Sequence, residues 1–237
     1  MKLRKKVASL RPKATRPAKS TTRPKPGLGR GKGKITLHGN FMSMPSAKVG
    51  LLLSMASAYR HVDLSQGAQR RPEYLELNRF GQVPVLQHGD VTLAQSNVIL
   101  EYLADMLGQF GGATEEERRD IAEWLDWEAD LVSSGLRAAR GMVRFQKPDP
   151  AVIQHAKARA ERALQLLNEV LADREYLVGD SPTIADLAIL PHISVAEEAE
   201  IDLAPYANVR NWLARIMALP GAGHPYDVMP KEDRDQL

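Results

Sequence analysis

The chain has 237 residues, no cysteine, six histidines and a formal net charge of +3. Its length allows one large domain or two small ones with ample core, and the missing thiols exclude disulfides, thiolate metal sites and a protein-borne cysteine nucleophile. No apolar run approaches a membrane span, no signal-peptide core is present, and the scattered histidines form no metal-ligand cluster, so the sequence reads as soluble, cytoplasmic and metal-free.

Residues 1–34 carry 13 Lys or Arg and no acid, which leaves −10 on the remainder. Interrupted by prolines and glycines, residues 1–33 are expected to form a disordered basic tail. Three readings of the tail stay open. It is an arm for RNA or a membrane surface, a transit-like segment whose prolines spoil an amphipathic helix, or an extension without a role. The acidic remainder argues against nucleic acid as a partner of anything but the tail.

From 34 to 107 short strands alternate with helices. Residues 34–39 read as a strand, 46–59 as a helix, 61–64 as a second strand and 72–77 as a short helix. Residues 83–86 and 91–93 are strands flanking His88-Gly89-Asp90, a hairpin-type turn, and 97–105 is a helix. The order βαβ, α, ββα is thioredoxin-like, with its first crossover parallel and right-handed. Gly108–Gly112 breaks the pattern, and an all-helical domain is expected over 113–225, with 226–237 as a C-terminal tail. Thr114 to Glu117 is a capping box opening a long helix with apolar positions at 121, 124, 125, 131 and 132. Pro148 and Pro150 end it. A helix over 151–172 places Ala156, Ala160, Ala163, Leu167 and Val170 on one face. Thr183 and Asp186 cap a helix whose residues 184–193 are nearly all apolar, the mark of a buried axis. A last amphipathic helix runs over 208–219.

The most informative stretch is Gly81 to Tyr102. Pro84 cannot donate to a ladder, so it marks an edge, and an X-Pro bond at a turn favours cis. In that geometry Val83 turns its backbone outward as an edge for an extended peptide. Ser96 begins a helix whose free N–H groups favour an anion. Together these make a socket for a small acidic peptide.

Gln82-Val83-Pro84 and Gln95-Ser96 at this spacing resemble the glutathione-binding half of the cytosolic glutathione transferase family, and the Gly179–Asp186 cap resembles the capping signature of its helical domain. The resemblance covers about residues 34–220. It implies that Gln82, Val83 and Pro84 hold the cysteinyl part of glutathione, that Gln95 and Ser96 hold its γ-glutamyl carboxylate, and that glutathione is the co-substrate. It implies a homodimer and a role in detoxification. The chain departs from the family where Asn78-Arg79 replaces the frequent Asn-Pro. Arg79 is the candidate for glutathione's glycine carboxylate, in place of the usual Lys or His.

The family activates the thiol with Tyr, Ser or Cys just after the first strand. Phe41 to Val49 holds neither Tyr nor Cys, so the serine-type bacterial classes, theta- or beta-like, are the nearest match. Ser43, two residues before Pro45, is the candidate catalytic residue, and Ser46 is the alternative. Arg137, Arg140 and Arg144 share a helical face, and the resemblance places Arg140 beside the second-substrate pocket. The expected reaction is attack of glutathione thiolate on a small electrophile, or on a disulfide or peroxide. The alternatives are a non-catalytic, translation- or RNA-associated module using the basic tail, and a glutathione-dependent dehalogenase or isomerase.

Overall fold

The computed structural model describes residues 32–53 and 57–235. The basic tail expected over 1–33 lies outside them except for its last two residues. A four-stranded sheet is built from β1 (Ile35–Gly39), β2 (Ala58–His61), β3 (Val85–His88) and β4 (Val91–Ala94) in the order β2-β1-β3-β4. β1 runs parallel to β2 and antiparallel to β3, and β3 runs antiparallel to β4. The helices α1 (Met44–Leu53), α2 (Pro72–Leu77) and α3 (Ser96–Leu107) complete a thioredoxin-like domain. Successive strand residues face opposite sides: Leu86 joins Leu37, Leu52 and Leu103 in the main core, whereas Val85 packs with Val62 and Tyr74 of α2. Gly89, with φ 57°, makes the β3–β4 turn, and a Cβ there would meet the Lys32 carbonyl at 2.5 Å.

Several boundaries differ from expectation. β2 spans 58–61 rather than 61–64, because Ala58 and Tyr59 are the residues buried against the core while Arg60 and His61 reach the sheet margin. β3 starts at Val85 rather than Val83; Pro84, after a cis peptide bond, has no N–H for the ladder. α1 begins two residues early, at Met44, and the helix expected to reach Tyr59 does not, because Ala58 and Tyr59 pair with β1 as part of β2.

The helical domain begins with α4 (Glu115–Trp127), where Thr114 Oγ1 accepts the Glu117 N–H at 3.1 Å. The run then continues through a π-helical stretch (Glu128–Arg137), one α-turn, α5 (Ala138–Gly141), and a second π stretch (Met142–Gln146). Its uniform α-periodicity was the expectation; the π winding replaces it where the run crosses α6 (Pro150–Val170). There Gly135 lets the two backbones touch, since a Cβ would lie 2.6 Å from Ala160 N. α7 (Ile184–Ile193) is buried at all ten residues, as an all-round apolar helix must be. Its Thr183–Asp186 capping box is present, and Asp186 also accepts from Leu177 N and from Trp212 Nε1 of α8 (Ala207–Met217).

The segment expected as a loose C-terminal tail is bound down. α9 (Pro225–Val228) packs on α1, where Met229 fills the space left by Gly50. Arg234 then pairs antiparallel with Tyr59, covering the open edge of β2.

Candidate active site

Between the domains lies a cavity of about 690 Å³. Ser43 contributes from the start of α1; Gln82, Val83 and Pro84 from the approach to β3; Gln95 and Ser96 from the start of α3; Arg137 and Arg140 from the helical domain. Residues far apart in sequence therefore line one cavity.

Ser43 caps α1. Its Oγ accepts the Ser46 N–H at 3.3 Å and its carbonyl accepts Ala47 N at 2.9 Å. A hydroxyl that accepts from backbone keeps its own proton to donate, here at the positive end of a helix. Ser46, the alternative candidate, lies elsewhere. It is fully buried beneath β1, its Oγ accepts from Asn40 N at 3.3 Å, and it does not line the cavity.

The ladder of β3 begins at Val85, so Val83's backbone sits outside it on the cavity wall. The preceding carbonyl, of Gln82, is held by Tyr74 Oη at 2.9 Å and Asn78 Nδ2 at 2.7 Å. Asn78 thus has a structural task, whereas the sequence singled it out only as the residue before the departure at Arg79. Gln95 adopts φ 72°, ψ 115°, a left-handed-side conformation uncommon for a residue with a side chain. Its amide reaches Gln82 Oε1 at 3.5 Å. Ser96 is the first residue of the 12-residue α3, whose first intrahelical donor is Ile99 N. The amides of 96–98 are consequently open to an anion.

Two of the candidate arginines differ in placement. Arg79 does not line the cavity; its guanidinium lies over the Phe80 ring, 4.7 Å from the centroid. Arg140 does line it, but its nitrogens are committed: Nε to Glu198 Oε2 (2.6 Å), Nη1 to the Met42 carbonyl (3.1 Å) and Nη2 to Tyr226 Oη (2.7 Å). A guanidinium already paired with a carboxylate has little charge left for a ligand. Arg144 bonds the same Glu198 carboxylate. Arg137 and Arg144 are both exposed; Arg144 is engaged by Glu198, whereas Arg137 Nε donates to Ser133 Oγ at 3.4 Å. Its charge is felt by Lys48 and His192 on the cavity wall.

Sequence reasoning missed the polar floor. Lys48 of α1 and Glu128 of the π stretch form an ion pair of 2.6 Å with both side chains almost wholly buried. Asn97, next to Ser96, accepts from Lys48 Nζ and donates to Glu128 Oε2 and the Leu125 carbonyl. His192 Nε2 lies 3.4 Å from Glu128 Oε1. Burial first, and then the charges of Lys48, Arg137 and Arg140, hold the imidazole well below its ordinary pKa, hence neutral. Burial likewise lowers Lys48, against the pull of Glu128. Gln69, another lining residue, turns a buried amide oxygen with no protein partner among the described residues. Lys48, five residues after Ser43, Asn97 after Ser96 and His192 within the apolar run 184–193 were visible as polar residues on apolar helices. Among the described residues no group of His, Asp and Glu is placed to hold a metal ion.

Comparison with known proteins follows the same division. Residues 33–105 match the model of the glutathione S-transferase N-terminal domain, and 133–220 that of the glutathione S-transferase C-terminal domain. The disulfide-bond oxidoreductase YfcG of Escherichia coli is 32% identical over 191 residues, covering 74% of this chain and 87% of YfcG. A glutathione S-transferase of Arabidopsis thaliana is 36% identical over 140 residues, 55% of this chain and 65% of that protein. Among solved structures, a possible glutathione S-transferase from Rhodopseudomonas palustris superposes with a TM-score of 0.77 at 28% identity, covering 84% of this chain and 92% of the other.

Proposed function

The chain belongs to the glutathione S-transferase family, and on that premise we propose that it binds glutathione in the interdomain cavity and activates its thiol through Ser43. The observation that carries this reading is the convergence of Ser43, the Val83 backbone and the open N-terminus of α3 on one cavity. In it the cysteinyl backbone of glutathione pairs with Val83, while Gln82 orients it and Pro84 backs it. The γ-glutamyl carboxylate sits on the amides of α3 with Gln95 and Ser96. Ser43 donates its hydroxyl proton to the sulfur. A free thiol has a pKa near ~8.5, and a hydroxyl donor at a helix N-terminus stabilises the anion relative to the acid.

The thiolate then attacks a small electrophile and displaces its leaving group, or adds to it. A second reaction is disulfide reduction, favoured by the likeness to YfcG and compatible with the absence of cysteine. The thiolate attacks one sulfur of the substrate disulfide and releases the other as thiolate. A second glutathione then resolves the mixed disulfide to glutathione disulfide, so no protein thiol is needed. Arg137 replaces Arg140 as the cation facing the second substrate, which favours electrophiles carrying an anionic group. Gln69 takes the place intended for Arg79, beside the glycine end of glutathione. Like its family the protein works as a cytoplasmic homodimer.

Steady-state assays with a chloronitroarene and with a mixed disulfide, each with glutathione, test the reading. Turnover of either at a saturable glutathione concentration is expected. Failure of glutathione to bind would leave the interaction-module alternative standing. Arg137→Ala is expected to raise KM for a carboxylate-bearing electrophile by about tenfold over its neutral analogue, the loss of one charge-assisted contact. Equal KM changes for both would remove Arg137 from the substrate site.

A further inference from the structure

The Ser43 loop is held from two directions. On its own domain, Asn40 Oδ1 accepts Met42 N at 2.9 Å, the Asn40 carbonyl accepts Ser43 N at 2.9 Å, and Asn40 Nδ2 ties the turn to the Val62 carbonyl. From the other domain, the buried guanidinium of Arg140 reaches over to the Met42 carbonyl, immediately before Ser43. Arg140 is itself fixed on its remaining sides. Glu198 takes Nε, and Tyr226 takes Nη2 while donating its own hydroxyl proton to Glu198 Oε1 at 2.5 Å. Hydrogen bonds from Tyr226, Arg140 and Arg144 hold the Glu198 carboxyl below its usual range despite its partial burial. Tyr226 stands on α9, and the chain beyond it is anchored back on the first domain. Asp233 Oδ1 accepts His61 N at 2.7 Å, and Arg234 exchanges two backbone hydrogen bonds with Tyr59.

We propose that Arg140, locked by Glu198 and Tyr226, is a positioning residue for Ser43, and that the segment 224–235 governs thiol activation through this lock without touching glutathione. The inference rests on the reading of Ser43 as the thiol's hydrogen-bond donor. Its physical basis is the steep dependence of such a donor on placement: a shift of about 1 Å can cost on the order of a hundredfold in rate, and donors keep their geometry only when the groups behind them are fixed. Nothing else among the described residues holds the Met42 carbonyl. A lysine at 140 offers a point charge on a flexible stem and lacks the fork that bonds Glu198 and Met42 together.

The test is the midpoint of the thiolate absorbance of bound glutathione, titrated against pH in the full-length wild type, Arg140→Lys, Tyr226→Phe and, as control, Lys157→Ala, which breaks the outlying ion pair with Glu200. Tyr226→Phe removes one hydroxyl from a half-buried ring, so it carries the test even if substitution at 140 prevents folding. The expected result is a midpoint raised by on the order of half to one pH unit in both lock variants, a three- to tenfold lower ratio of thiolate to thiol. Glutathione affinity should change less than threefold, and the control should match the wild type. A depressed wild-type midpoint that stays put in the lock variants overturns this inference alone. An undepressed midpoint in the wild type overturns it together with the assignment of Ser43.

Discussion

Ser43 both caps α1 through its Oγ and lines the cavity. Ser46, three residues on, points the other way into the core and accepts from Asn40 N. Sequence spacing brought both serines to the same helix start and could not rank them by direction, because direction depends on which residue caps. The two substitutions should therefore separate. Ser43→Ala is expected to lower kcat by on the order of a hundredfold, the scale for losing one preorganised donor. Ser46→Ala should leave kcat near the wild-type value and cost about 1 kcal/mol of stability in urea melts, through an orphaned buried amide; the reverse pattern would exchange their roles. His192 makes a prediction of opposite kind. Its folded pKa lies well below the ordinary 6.5, so on acidification the unfolded chain takes the proton first. Its contribution to stability is intact above about pH 7 and falls as pH drops below ~6.5, by at most about 1.4 kcal/mol per unit. Glu128 is the one carboxylate at hand to oppose this, and Lys48 already occupies it. Urea melts at pH 7 and pH 5.5 should show a smaller loss for His192→Gln than for the wild type; equal losses would mean that the imidazole is charged in the folded protein.

At the scale of elements, the helices of the second domain were legible wherever a stripe or a cap defined them. The buried α7 followed from its unbroken apolar run, and the Thr183–Asp186 box from its spacing. Asp186 goes further than a cap, since it also holds Leu177 N and the Trp212 indole. Thr183→Ala should cost about 1 kcal/mol, whereas Asp186→Ala strands several buried donors at roughly 1–3 kcal/mol each. Comparable losses for the two, in chemical denaturation, would reduce Asp186 to capping alone. The π stretches were not legible: a 3.6-residue pattern sets Arg137, Arg140 and Arg144 on one face, whereas the i→i+5 winding leaves Arg137 exposed and Arg140 buried. Nor was the pairing of Lys48 with Glu128, whose partners lie on different domains. Lys48→Met alone leaves a buried carboxylate without its counter-ion and should destabilise by about 3–5 kcal/mol. Adding Glu128→Gln should restore at least about 1 kcal/mol relative to the sum of the single changes. Additive losses in that cycle would mean the two charges do not stabilise each other.

For the molecule as a whole, the change of hydrophobic period at Gly108–Gly112 made two domains visible before any contact was known, and the Gly-Gln-Val-Pro and Gln-Ser elements picked out residues that line the interdomain cavity. What sequence could not supply is how the domains are joined. The polar floor spans α1, α3, the first π stretch and α7, and the C-terminal segment returns to β2. Both depend on partners far apart in the chain. Among the described residues, every one that lines the cavity lies at Met42 or beyond, and a protein lacking residues 1–31 is expected to bind glutathione as the full chain does. A large loss of affinity would give the basic tail a part in the site. The central claim is that this cavity holds glutathione as a thiolate, and the ultraviolet difference spectrum of the bound tripeptide against pH tests it most directly. The account predicts a thiolate band whose midpoint lies below the ~8.5 of a free thiol and which rises toward it in Ser43→Ala. Saturable binding with an undepressed midpoint, or no binding at all, would contradict it.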